Sequence, residues 1–205
     1  CVDDLEKHGY LERITHEVDP HLEMAQIHRE TFARKGPALF FEKVKGSPFP
    51  AVSNLFGNEE RWRFIFRQQF STVKRAIQVK ADPERFFLNA LTDFFRHPSH
   101  YFKLALAGIS TVPKQVAAKN SPVMWQKTSI DKLPQIVSWP KDGGPFITLP
   151  QVFSQDLRYN KILKSNLGMY RIQMSGNAYE TNQQIGAHYQ IHRGLGIHHA
   201  LALEL

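Results

Sequence analysis

The 205 residues are 42% hydrophobic and 22% charged, with 12 glycines and 12 prolines, a globular balance that excludes a disordered tail and a repetitive fibre. No apolar run reaches the ~18 residues of a membrane-spanning helix. The single cysteine, Cys1, excludes an internal disulfide framework and a thiolate metal cage, and a reducing, cytoplasmic setting fits it. The formal net charge of +7 is spread over both halves and is densest in RWRFIFRQQFSTVKR, where Arg61, Arg63, Arg67, Lys74 and Arg75 occur without an acid.

Leu5 to Tyr10 reads as the end of a helix closed by Gly9, and ERITHEV as a short strand bounded by Pro20. From His21 to Lys35, apolar residues recur at near-helical spacing up to Gly36, the pattern of a helix with a glycine after its end. PALFFEKV predicts a strand, KGSPFP a turn, and AVSNLF a second short strand. Residues 58–75 predict a helix. Asp82 before Pro83 predicts the start of another, running to about Phe95. HYFKLALAG is a further helical segment before the chain loosens at STVPKQ.

From residue 122 onward, VMWQKT, LPQIVSWP, PFITLP, LGMYRIQM, AHYQIH and IHHALALEL alternate with turn punctuation, which predicts a β-rich unit. KNSP marks the boundary. The expected class is α+β, with an α/β domain over residues 1–120 and part of a β-barrel or sandwich over 121–205. CVDDLEKHGY has no basic segment followed by an apolar one, so it does not read as a signal peptide. Because the chain opens at Cys1 and stops on GIHHALALEL, it reads as an excerpt of a longer protein.

The basic patch admits two readings, a solvated helix face or a contact with phosphates or an anionic membrane. No zinc-finger, KH or RRM pattern accompanies it, so nucleic acid is not expected as a partner. Asp142-Gly143-Gly144 suits a tight turn that could approach an anion or simply close a hairpin. In SNLGMYRIQM, strand geometry places Asn166, Gly168 and Tyr170 on one face and Leu167, Met169 and Arg171 on the other. Arg171 offers a fork for phosphate or carboxylate, and Asn166 a neutral oxygen for a cation. In HYQIHRGLGIHH, His188, Gln190 and His192 share a strand face. Imidazole is a borderline-metal ligand, but from the residues alone a satisfied core histidine is the favoured reading for His192, His198 and His199.

GPALFFEKVKG, AVSNLFGNEER, WPKDGGPFITLP, NLGMYRIQM and HYQIHRG together resemble the UbiD family of prenylated-FMN-dependent decarboxylases. That resemblance implies an N-terminal α/β domain, a split β-barrel related to flavin reductases, and a missing C-terminal domain. It implies prenylated FMN bound by Met169, Tyr170, Arg171, His188, Tyr189, Gln190, Arg193 and Gly194. It further implies Mn2+ held by Asn166 and His192, with K+ as a second ion, and Arg171 as the catalytic residue present. A third metal ligand and the catalytic acids would lie beyond residue 205.

The implied activity is non-oxidative decarboxylation of an aromatic or conjugated acid, such as a polyprenyl-4-hydroxybenzoate or a related naphthoate in ubiquinone or menaquinone synthesis. A flavin prenyltransferase would supply the cofactor, and a homo-oligomer would be formed, in the cytoplasm or peripherally on the inner membrane. An FMN oxidoreductase on the same barrel and a basic RNA-associated or scaffold protein are the rival expectations.

Overall fold

A strand, a helix and a second strand with strong apolar periodicity must bury their apolar sides together, and residues 11–44 do so. The computed structural model describes residues 1–82, 116–159 and 161–205, with scattered positions between 84 and 112. In it α1 (Val2–Lys7) leads into β1 (Leu11–Val18), α2 (Glu23–Ala33), β2 (Ala38–Val44) and β3 (Ala51–Ser53). Strand β1 runs parallel to β2, which pairs antiparallel with β3, so α2 is the crossover of a βαβ unit. The central strand β2 carries the apolar run ALFF because both of its flanks are paired and both of its faces need cover.

Val18, Met24, Leu39, Phe41 and Val44 form the buried cluster, with Ile14, Ile27, Ala51 and Ile136 packed against it. Burial of such side chains contributes about 1.5–3 kcal/mol each. Beyond β3 the chain turns at Asn54, whose side-chain N–H donates to the carbonyls of Gly36 and Pro37 at 3.3 and 2.8 Å.

The chain divides into two compact units, Cys1–Gly57 with Ala117–Leu205, and Asn58–Val116. In the latter, Asn58 caps α3 (Glu59–Ile65) by accepting the Arg61 N–H at 2.8 Å. Helix α4 (Phe70–Ala81) follows after a break, so the single helix expected over 58–75 is two. Arg61 is buried, Arg63 pairs with Glu59 at 2.8 Å and lies over the Phe70 ring, and Arg67 lies over the Phe64 ring. These three cations of the patch serve local packing. The helix expected from Asp82 to Phe95, HYFKLALAG and STVPKQ lie almost wholly outside the described residues.

Within the first unit, Leu133–Trp139 crosses back to the βαβ core. Val137 donates to the Pro20 carbonyl at 3.1 Å and accepts from the Leu22 N–H at 3.0 Å, while Ile136 O accepts from the Phe146 N–H at 2.9 Å. The later strands are β4 (Phe146–Ile147), β5 (Gln151–Gln155), β6 (Ser165–Met169), β7 (Ile172–Gln173) and β8 (Gly186–Ala187). They form two separate antiparallel ladders, β4-β7-β8 and β5-β6.

The expected split β-barrel is therefore corrected. The α+β class stands, but among the described residues no sheet closes on itself. Closure needs a continuous staggered ladder. Here three strands hold only two residues each, and β6 ends before β7 begins in a different sheet. IHHALALEL, with its strand-like alternation, is also not a strand. It belongs to helix α5 (Leu195–Leu203), in keeping with the helix propensity of its alanines and leucines.

Replacing Phe41, which has no exposed surface, by Ala should cost about 3–5 kcal/mol in equilibrium urea unfolding. The partly exposed Phe40, under the Arg13 guanidinium, should cost less.

Candidate functional site

The alternation read from SNLGMYR is present in space. Asn166, Gly168 and Tyr170 are half-buried, whereas Leu167, Met169 and Arg171 are exposed. On the inward side, the Asn166 amide donates to Tyr170 Oη at 3.0 Å, and the Leu195 N–H donates to the same oxygen at 3.0 Å. Leu195 is the first residue of α5, so the Tyr170 phenol satisfies one of the unpaired amides at that helix start. Gly194 makes this approach possible. Its φ is 49°, and a Cβ there would collide with Tyr170 Oη and come within 2.9 Å of Asn166 Oδ1. Thus NLGMY and HRGLG, distant in sequence, meet through one phenol.

On the outward side, Arg171 Nε–H donates to His188 Nδ1 at 3.2 Å, and the His188 N–H donates to the Arg171 carbonyl at the same distance. The imidazole must be neutral to accept there, with its proton on Nε2. The Arg171 guanidinium carbon is 5.1 Å from the Phe146 ring centroid, and His188 meets that ring edge-on at 5.4 Å. Phe146 lies in the WPKDGGPFITLP motif, but nothing in the sequence singled it out there, because an aromatic after a turn has many ordinary uses.

The remaining motif residues separate into anchored and open ones. The Tyr189 hydroxyl is hydrogen-bonded to His199, and the two rings pack edge-on. His198 Nδ1 bonds Ser154 Oγ at 2.9 Å, tying α5 to β5 and fulfilling the satisfied-histidine reading. Met169, Gln190, His192 and Arg193 are exposed. Asp142-Gly143-Gly144 is a packing turn. A Cβ at Gly176, where φ is 87°, would collide with the Gly143 carbonyl, so two backbones touch there.

Asp156 is buried and accepts from Arg158 Nε and Nη2 at 3.0 and 2.8 Å. These bonds lower its carboxyl from the ordinary 3.8 to about 2.

The manganese expectation is corrected. Among the described residues no three His, Cys, Asp or Glu side chains gather where a metal ion could sit. Asn166 is engaged with Tyr170, and His192 is exposed with no carboxylate assembled beside it. A neutral amide and one imidazole do not make a divalent-cation site.

Residues 2–79 match the 3-octaprenyl-4-hydroxybenzoate carboxy-lyase N-terminal domain, and residues 111–205 match the Rift-related domain of the same enzyme family. The chain belongs to the UbiD family. An uncharacterised Chlamydia trachomatis protein is 38% identical over 183 residues, covering 88% of this chain and 29% of that protein. A Chlamydia pneumoniae relative, named as one of the subunits of a 4-hydroxybenzoate decarboxylase, is 34% identical, covering 88% and 28%. The chain therefore spans less than a third of these curated relatives.

Among solved structures, the closed form of Sedimentibacter hydroxybenzoicus vanillic acid decarboxylase superposes with a TM-score of 0.68 at 22% identity, covering 96% of this chain and 38% of that one. The UbiD-class enzyme HmfF from Pelotomaculum thermopropionicum, in complex with prFMN, gives 0.61 at 21% identity, covering 91% and 36%. These likenesses establish a shared fold with UbiD-class enzymes.

Two outcomes follow from this geometry. Tyr170→Phe removes the acceptor shared by Asn166 and Leu195 and should lower stability by about 1–3 kcal/mol in urea unfolding. For Asp156, the folded carboxyl titrates below the unfolded one, so its contribution is present above the unfolded value and fades as pH falls toward ~2. The thermal midpoint of the wild type should exceed that of Asp156→Asn near neutrality, and the gap should close on acidification.

Proposed function

We propose that the full-length protein decarboxylates an aromatic or conjugated carboxylic acid, without oxidation, with prenylated FMN as its cofactor. The observation that carries this reading is the meeting of the two motifs, Tyr170 with Leu195 and Arg171 with His188. Their exposed members form a donor set that fits such a cofactor. Arg171 and Arg193 suit a phosphate or carboxylate, the Gln190 amide suits the polar edge of a ring system, and Met169 offers a polarisable apolar surface for a flat ring. Membership of the UbiD family supports the same reading. The donor set does not fit manganese, and no step is assigned to a metal.

When bound, the modified flavin supplies the electron sink that a carbanion at an sp² carbon requires. Arg171 binds the substrate carboxylate through paired N–H donors and stabilises its charge. His188 holds Arg171 by accepting its Nε–H, and Tyr170 holds the β6–β7 junction that carries Arg171 against α5.

A hydroxybenzoate-type acid is the proposed substrate class, in line with relatives named as decarboxylases of 4-hydroxybenzoate and vanillic acid. A polyprenyl-4-hydroxybenzoate or naphthoate is the narrower version. Cofactor supply by a flavin prenyltransferase, a homo-oligomeric state and a domain division at 1–120 and 121–205 belong to the same proposal. Among the described residues no helix is long and apolar enough to cross a membrane. A cytoplasmic setting with peripheral membrane contact belongs to the same proposal.

The test is to co-express the full-length protein with a flavin prenyltransferase, identify the released cofactor by mass spectrometry and assay hydroxybenzoate decarboxylation. Arg171→Lys keeps the charge and loses the planar fork, so it should retain flavin and lose at least ~10²-fold in kcat. Full decarboxylation with unmodified FMN, or an unimpaired Arg171→Lys, contradicts the proposal.

A further inference from the structure

Arg171 is held on two sides by residues remote from it in sequence. Its Nε–H donates to His188 Nδ1 at 3.2 Å, and its guanidinium carbon stands 5.1 Å from the centroid of the Phe146 ring. The same ring meets His188 edge-on, with centroids 5.4 Å apart and planes at 79°. Phe146 itself is fixed by backbone. It pairs with Gln173 in the β4-β7 ladder and donates its N–H to Ile136, which packs on the buried cluster of the βαβ core.

A guanidinium grips a carboxylate either side-on, through Nε and one Nη, or end-on, through both Nη atoms. With Nε engaged by His188, the end-on edge is the one presented to an incoming anion. The negative face of the phenyl ring attracts the cation and sets the plane in which that edge lies.

We infer that Phe146 is a positioning residue for Arg171, its ring fixing the guanidinium plane so that Nη1 and Nη2 meet the substrate carboxylate head-on. The inference rests on the proposed carboxylate-binding role of Arg171 and gives a role to a residue of the WPKDGGPFITLP motif to which the sequence analysis assigned none.

The experiment uses the full-length protein and benzoate as probe, with affinity measured by calorimetry beside kcat, KM, flavin content and thermal midpoint. Phe146→Leu keeps an apolar side chain in the ladder and removes the π face. Benzoate affinity should fall about three- to tenfold and KM should rise, with flavin content and midpoint unchanged. Phe146→Tyr restores the face and should restore affinity. If Phe146→Leu lowers the midpoint, Phe146→Met takes its place in the same comparison.

Wild-type benzoate affinity in Phe146→Leu, or equal losses in the Leu and Tyr variants, overturns the inference. Arg171→Gln separates the two levels. If it leaves benzoate affinity intact, the carboxylate role of Arg171 falls and the inference with it. If it abolishes binding while Phe146→Leu does not, the positioning role alone is wrong.

Discussion

Three backbone hydrogen bonds that Ile136 and Val137 make to segments distant in sequence carry the architecture of the first unit. Two run to Pro20 and Leu22 at the top of the βαβ core, and the third receives Phe146, the first residue of β4. Ile136 meanwhile puts its side chain against the buried cluster. A stretch too short to be a strand of any sheet thus couples a well-packed hydrophobic core to the β4-β7-β8 ladder, whose two-residue strands supply little cooperative pairing of their own. Everything in the candidate site downstream of β4 inherits its position from this junction.

From there the site is built by sharing. One phenol serves the Asn166 amide and the start of α5, and one histidine, His188, accepts from the Arg171 side chain through its ring and donates to the Arg171 carbonyl through its backbone N–H. Ser154 and His198 hold the other end of the arrangement by fixing α5 to β5. Each contact is worth little by itself, on the order of 1 kcal/mol. Their common effect is to bring residues 166–171 and 188–195 into register, leaving Met169, Arg171, Gln190 and Arg193 facing outward.

How much of this was legible depended on whether a signal was local. Strand β1, helix α2 and strand β2 were readable because ALFF is a short apolar run bounded by Gly36-Pro37, the α2 residues recur at near-helical spacing, and Gly36 follows the helix end. The facing of Asn166, Gly168 and Tyr170 against Leu167, Met169 and Arg171 followed from pleat geometry alone. The family was carried by its motifs. By contrast, IHHALALEL misled because Leu201, Leu203 and Leu205 alternate as in a strand while alanine and leucine favour a helix. The barrel failed because apolar alternation cannot reveal which ladders join, and the manganese site because motif position does not show that Asn166 faces a phenol. Phe146 and Ser154 were invisible, since their roles depend on partners 25 and 44 residues away.

The short strands also bear on dynamics. Ladder β4-β7-β8 has two-residue strands and few pairings, while the amides of β2 lie between two neighbours in the βαβ core. Amide exchange in such a structure is not uniform, because sparsely paired segments open at a fraction of the free energy needed to unfold the core. Arg171 stands at the junction of β6 and β7 and therefore on the side that opens readily. A ligand gripping that guanidinium would bind only the closed form, so occupancy and local order are thermodynamically linked. Slowed exchange at Ile172 and Gln173, far from any change in the βαβ core, would be the physical signature of a filled site.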